Sequence, residues 1–238
     1  MKKHLTALAV VSSLSAAPAM AQDLDIKITN LTNAIHFTPF LVAAHDSSSH
    51  LFMEGSAAST SLQAMAEGGD INGLSTDIQA TGGNVVENPA AGLLAPGANT
   101  SFMLMSNDGN TQLSLTAMLL PTNDGFVGVD SIDVPTAKGT YTYYLNGYDA
   151  GTEANDELIT GGGAPGVAGI PADPGAHAGS GGTGGQPDPD LVCDVGLCEA
   201  AGIPKDDCKR FLAGCLAAAD QVDWDECVVG SLLIFCNE

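Results

Sequence analysis

The stretch Phe102-Met103-Leu104-Met105-Ser106-Asn107-Asp108-Gly109-Asn110-Thr111-Gln112-Leu113-Ser114-Leu115-Thr116-Ala117-Met118-Leu119 decides the fold class. Phe102 and Leu104 alternate with their neighbours, Ser106 to Asn110 supply turn chemistry, and Leu113, Leu115, Ala117 and Leu119 alternate again. A period of two with an Asp-Gly turn predicts two strands joined as a hairpin. The pattern extends in both directions. Phe126 to Val134 and Thr140 to Leu145, rich in Tyr and Thr, predict two further strands. Upstream, Ile26 and Ile28 alternate with Asp25, Lys27 and Thr29 in a first strand. Ile35 to Val42 predicts a second, which Pro39 restricts to an edge or a bulge. Ser59 to Glu67 differs, because Leu62, Met65 and Ala66 fall at helical spacing behind a Ser or Thr cap. Gly/Asn/Pro-punctuated chain between it and Phe102 is expected to form short strands and loops. Short strands without long intervening helices predict an antiparallel β-sandwich over residues 22–160.

The two ends of the chain have other compositions. Residues 1–21 have the form of a signal peptide: Lys2 and Lys3, an apolar run from Leu5 to Leu14, and Ala19-Met20-Ala21 as an A-x-A cleavage site. That run is too short to span a bilayer, and Val228 to Phe235 is shorter still. Residues 161–190 read as a disordered linker rich in Gly and Pro. Eleven glycines between 161 and 185, with almost no large apolar side chains, bury too little surface to offset the entropy of ordering. Residues 191–238 hold all six cysteines: Cys193, Cys198, Cys208, Cys215, Cys227 and Cys236. In a short exported segment these predict three disulfides with fifteen possible pairings. Zinc is disfavoured by the absence of histidine and of any C-x2-C pair. Helices from Asp206 to Ala219 and from Trp224 to Phe235 are expected, giving a small α-helical, disulfide-rich tail.

Seven Lys+Arg against 28 Asp+Glu leave a net charge of −21, more negative still without Lys2 and Lys3. Such a chain repels phosphate backbones and anionic lipid, which excludes nucleic-acid and membrane-surface partners. The acidic residues are not evenly spread. Tyr148-Asp149-Ala150-Gly151-Thr152-Glu153-Ala154-Asn155-Asp156-Glu157 crowds four carboxylates into the nine positions from 149 to 157, and Asp124 lies in the turn before the Phe126 strand. Either salt screens these charges on a solvated loop, or a cation neutralises them. Gly151 permits a reversal that converges Asp149 and Glu153, and Asp124 joins them if the Phe126 and Thr140 strands bring their ends together. The EF-hand pattern fails, and no His or Cys is near, which disfavours zinc, copper and iron. Residue chemistry alone leaves metal and solvated loop equally open.

Thr122-Asn123-Asp124-Gly125-Phe126-Val127-Gly128-Val129-Asp130-Ser131 followed by Tyr148-Asp149-Ala150-Gly151-Thr152-Glu153 resembles the spondin domain. That domain occurs in F-spondin, in mindin and in many bacterial exported proteins. Bacterial members are also similar in Ile28-Thr29-Asn30-Leu31-Thr32, in Ala64-Met65-Ala66-Glu67-Gly68-Gly69-Asp70 and in Gly151 to Glu157. The resemblance runs over about residues 24–160. It implies a C2-like antiparallel β-sandwich that binds a divalent cation, calcium in the first instance, and serves in adhesion or ligand binding. It implies Asp124, Asp149 and Glu153 as metal ligands, with Glu153 standing where animal members have Asp. Asp108 is a candidate for a further acidic ligand of animal members.

Other constellations are weaker. His36, His45 and His50 beside Met53 suggest copper, but their spacing puts them on different faces, as ordinary surface or half-buried histidines. Ser47-Ser48-Ser49 lacks a G-x-S-x-G elbow. Paired carboxylates also suit a secreted hydrolase acting on glycosides or esters, the alternative reading. Against a glycosidase, the only tryptophan, Trp224, lies in the tail. The expectation is an exported, secreted or periplasmic, non-enzymatic module that binds an extracellular protein or surface ligand through its cation-bearing loops.

Overall fold

The computed structural model describes residues 22–107, 109–153, 186–187 and 228–236. The leader, the chain from 154 to 185, the expected helix from Asp206 to Ala219, Asp108 and five of the six cysteines lie outside the described residues.

Among the described residues ten strands form one antiparallel sheet: β1 (Gln22–Asn30), β2 (His36–Phe37), β3 (Leu41–His45), β4 (Asn84–Glu87), β5 (Asn99–Ser106), β6 (Gln112–Leu120), β7 (Gly125–Asp133), β8 (Gly139–Asp149), β9 (Gln186–Pro187) and β10 (Val228–Cys236). The spatial order is β4-β3-β6-β7-β8-β10-β1-β5, with β2 on β6 and β9 on β8. The path folds over so that its two ends meet. Asn84 Oδ1 on β4 accepts from Asn107 N at 3.0 Å and Asn110 Nδ2 at 2.9 Å, just beyond β5. Between the two layers lies an apolar core built by alternation: Leu24, Ile26 and Ile28 of β1, Val42 and Ala44 of β3, Leu113 to Leu119 of β6 at every second position, and Leu145 of β8.

Strands β1, β5, β6, β7 and β8 lie where alternation predicts them, but the expected hairpin pairing does not form. β5 and β6 are not a hairpin: β5 pairs with β1, and β6 pairs with β3, β7 and β2. The chain from 107 to 111 crosses from one layer to the other, tied to the start of β4 by Asn110, whose Nδ2 also donates to Gly82 O at 3.0 Å. Alternation tells which faces are buried, and both arrangements bury the same residues. Pro39 breaks the second expected strand into β2 and β3, where Pro lacks the donor that a continuous ladder needs.

Two helices cover the outer face of β3, β6 and β7. The first, α1 (Thr60–Gly68), begins as expected, with Ser59 Oγ accepting from Leu62 N at 3.1 Å, and ends at Gly69 in the left-handed region. The second, α2 (Asn72–Ala80), falls in chain expected to be strand and loop. No side chain of its N-cap, Ile71, satisfies the first turn, and Gly73 weakens it intrinsically. The glycine has a packing reason: a Cβ there would sit 2.8 Å from Ser61 Oγ on α1, so the helices approach only because it is bare. Leu62, Met65, Ala66, Leu74 and Ile78 then form a second core with Leu41, Ala43, Met118, Leu120 and Phe126. This is why β6 is buried on both faces.

The largest correction concerns the tail. Val228 to Phe235 is not part of a helix. It is β10, inserted between β1 and β8 and antiparallel to both, from Leu24↔Cys236 to Asn30↔Gly230 on one side and from Gly139↔Cys236 to Asn146↔Val228 on the other. Val229, Leu232 and Ile234 are fully buried in the core. A nine-residue apolar run with Val228-Val229 and no charge suits a covered strand at least as well as a helix, and two waiting edges decide for strand. The sandwich therefore does not end near residue 160. Cys236 lies inside it, its Sγ 3.1 Å from Pro135 O, and it is unpaired among the described residues.

Ile234→Ala should lower the unfolding free energy by about 2–5 kcal/mol in denaturant titration, as for other fully buried aliphatic truncations. A β10 that did not belong to the core would leave the midpoint unchanged.

Candidate metal centre

β7 and β8 pair only at one end, over Gly125↔Asp149, Phe126↔Tyr148, Val127↔Gly147 and Gly128↔Asn146. That short ladder brings the loop before β7 against the loop after β8. The first loop starts at the cis peptide Leu120–Pro121 and is closed by Thr122, whose Oγ1 donates to Leu119 O at 2.6 Å and accepts from Gly125 N at 3.0 Å. The second turns at Gly151, φ 69°, a conformation open to glycine, and Gly151 N donates to Asp149 Oδ1. Ala150 N donates to Asp124 O at 3.2 Å, which fastens one loop to the other.

Asp124 is central to this junction and 1% exposed. Its Oδ2 accepts from Thr152 N at 2.6 Å, Glu153 N at 3.0 Å and Thr152 Oγ1 at 3.1 Å. Its Oδ1 is buried without any hydrogen-bond partner. Asp149 is equally buried, and Glu153 and Asn123 are nearly so. Burial pushes the Asp124 carboxyl above the ordinary carboxylate range. The Asp149 charge pushes it further, against the three donors that favour the ionised form.

The structure thus brings Asp124 and Asp149 into electrostatic contact and anchors Glu153 to Asp124 through its main chain. Among the described residues, no three His, Cys, Asp or Glu side chains are grouped as a metal shell on their own. Calcium also takes carbonyl, carboxamide and water oxygens, so two or three carboxylates need not complete its shell. The donor set fits a hard cation: oxygen only, buried, with one carboxylate oxygen left unpartnered. Thr152 was not singled out in the sequence, although it supplies two of the three donors to Asp124. Its only signal was its place after a turn-forming glycine.

Other candidates serve the scaffold. Asp130 of the same motif pins the loop before α1: Oδ1 accepts from Leu51 N at 2.8 Å and Ser114 Oγ at 3.0 Å, and Oδ2 from Ser131 Oγ at 2.6 Å, with His50 Nδ1 2.7 Å away. His50 meets Asp130 and Ser131 through the same nitrogen, whereas a triad histidine uses one for each. His45 is fully buried, beyond the expected surface or half-buried position, and bridges Ser114 Oγ and Asp46 O, both at 2.7 Å. Burial holds His36, opposite Leu120, below its ordinary pKa. Ser48 and Ser49 donate to Asp46 Oδ1.

With two motif strings converging on this junction, the comparison with known families becomes informative. The family model described as Spondin_N matches residues 29–157. The chain belongs to the spondin domain family. A search of curated proteins gave no match. The matched region runs from the last two residues of β1 through β8 and the acidic junction, and stops short of β10, so this spondin-domain chain draws one of its central strands from outside the family's span. No helix among the described residues is long and apolar enough to cross a membrane.

A folded-state pKa raised above the unfolded value means that the folded protein binds the extra proton more tightly. Asp124 therefore favours folding most at low pH, and its contribution falls as pH rises from about 3.8 through its raised value. In chelator at neutral pH, Asp124→Asn should be more stable than the parent by on the order of 1 kcal/mol. The advantage should vanish as pH falls below the ordinary carboxylate value, as read from denaturant titrations across pH.

Proposed function

We propose that this spondin-domain protein is an exported, non-enzymatic binding module whose acidic junction holds a divalent cation, calcium by its chemistry. The observation that carries this reading is the unpartnered Asp124 Oδ1, buried beside Asp149 in a chain with few positive charges. Leaving a charged oxygen dry and unpaired is costly, and a bound cation removes that cost. Asp124, Asp149 and Glu153 would hold it, with Asn123 and loop carbonyls as further oxygen donors. A bound cation supplies positive charge and coordination sites.

The chain's own part is positioning. Thr152 and Glu153 orient the Asp124 carboxylate, and the β7–β8 ladder holds Asp149 in place beneath it. Neutralised, the two loops are braced against each other and present a fixed surface at one end of the sandwich. An acidic group on an extracellular protein or surface ligand is the partner chemistry that an open coordination position would take.

Thermal unfolding of the full chain should shift upward with millimolar calcium and fall back with chelator. A site occupied a hundredfold above its dissociation constant contributes about 2.7 kcal/mol. Extracellular sites bind at about 10⁻⁴ to 10⁻³ M, so the titration must reach that range. Asp149→Asn should abolish the shift while keeping the fold. A midpoint indifferent to calcium and magnesium alike would refute the cation site.

A further inference from the structure

We infer that the slot between β1 and β8, filled in this structure by the chain's own β10, is a strand-acceptor site that also takes the β10 of a second copy. This inference is independent of the cation reading. Three observations support it. First, β10 is central to the sheet, with β1 along one edge and β8 along the other. Its departure leaves two facing ladders of unpaired N–H and C=O groups and uncovers Leu24, Ile26, Ile28 and Leu145, which are buried in the same core. A slot of this kind binds an extended strand through main-chain hydrogen bonds, with side-chain pockets adding selectivity.

Second, the slot is keyed. Gly230 passes where a Cβ would lie 3.1 Å from Leu145 Cδ1 and 3.3 Å from Thr29 O, and the ladder to β8 shifts register between Val228 and Gly230. A side chain at that point would crowd Leu145 and the β1 backbone, so a strand with glycine there seats best with Leu232, Ile234 and Cys236 inward, and an unrelated apolar strand is disfavoured. The best fit is the sequence Val228–Cys236 itself, which every copy of this chain carries.

Third, the connection imposes no choice of chain. β8 ends at Asp149 and β10 begins at Val228, with β9 between them on Tyr148 and Asp149. The stretch from 188 to 227 has a fully extended reach of about 130 Å, enough to enter either its own sandwich or a neighbour's. The strand makes the same contacts in both cases, so concentration decides between them. Display at high local density favours exchange, and a dilute chain keeps its own strand.

The test uses the intact protein. A fluorescent peptide of residues 228–238, carrying Cys236→Ser to prevent thiol capture, is incubated with the full chain near its unfolding midpoint and then cooled. The peptide should co-elute with the protein on gel filtration, and the same peptide with Gly230→Val should be retained at least tenfold less. No retention, or equal retention of the Gly230→Val and sequence-reversed peptides, overturns the acceptor site. In parallel, isotopically light and heavy full chains are mixed at high concentration, given the same thermal treatment and diluted. Mixed dimers in native mass spectrometry support exchange between copies, and their absence at every concentration overturns the assignment to a second copy.

Discussion

Strand β8 pairs with β10 along Gly139 to Asn146 and with β7 only along Asn146 to Asp149. It therefore belongs to both layers of the sandwich and is the corner where the sheet folds over. Much else follows from that split partnership. Before Asn146 the β7 and β8 ladders part, leaving space for the core side chains of β1, β10 and β6. At Asn146 they close, and the closure sets Asp149 opposite Gly125, one residue from Asp124. Fold and candidate site thus share a physical cause, because the hydrogen bonds that turn the corner also bring two acidic loops together.

The junction is held against its own charge. The buried carboxylates of Asp124 and Asp149 repel, and each is steadied by backbone N–H groups from the loop after β8. Such donors satisfy one oxygen of Asp124 and leave the other bare. The stacked Phe126 and Tyr148 rings, 5.3 Å apart, keep the ladder packed against Phe52 just below, and the Tyr148 hydroxyl donates to Glu54 at 2.9 Å. Burial and the nearby Glu54 carboxylate push that phenol well above its ordinary range, so it stays a neutral donor. Aromatic packing beneath and backbone donors above give the loops a fixed shape.

Chain connectivity adds a second constraint. The spondin match covers residues 29–157, yet the sheet is completed by a strand from 228–236. A central strand contributed from so far along the chain makes the matched segment and the folded unit two different things. Its non-local pairing sets Val229, Leu232 and Ile234, all fully buried, between β1 and β8.

Local pattern determined much. Alternation marked β1, β5, β6, β7 and β8, Ser59 announced α1, and the motif strings around Asp124 and Asp149 pointed to the two loops that meet. These are properties of short windows, where side-chain period and turn chemistry act within a few residues. Tertiary structure alone decided that β5 crosses layers instead of pairing with β6. It also decided that Gly73 sits in a helix for the sake of close packing, that His45 is buried, and that Val228–Cys236 is a strand. A nine-residue apolar run satisfies its backbone either internally as a helix or externally as a strand. The edges of β1, which ends at Asn30, and of β8, which begins at Gly139, are distant in sequence but are set on either side of β10 by the fold, and they supply the external partners that no local window contains.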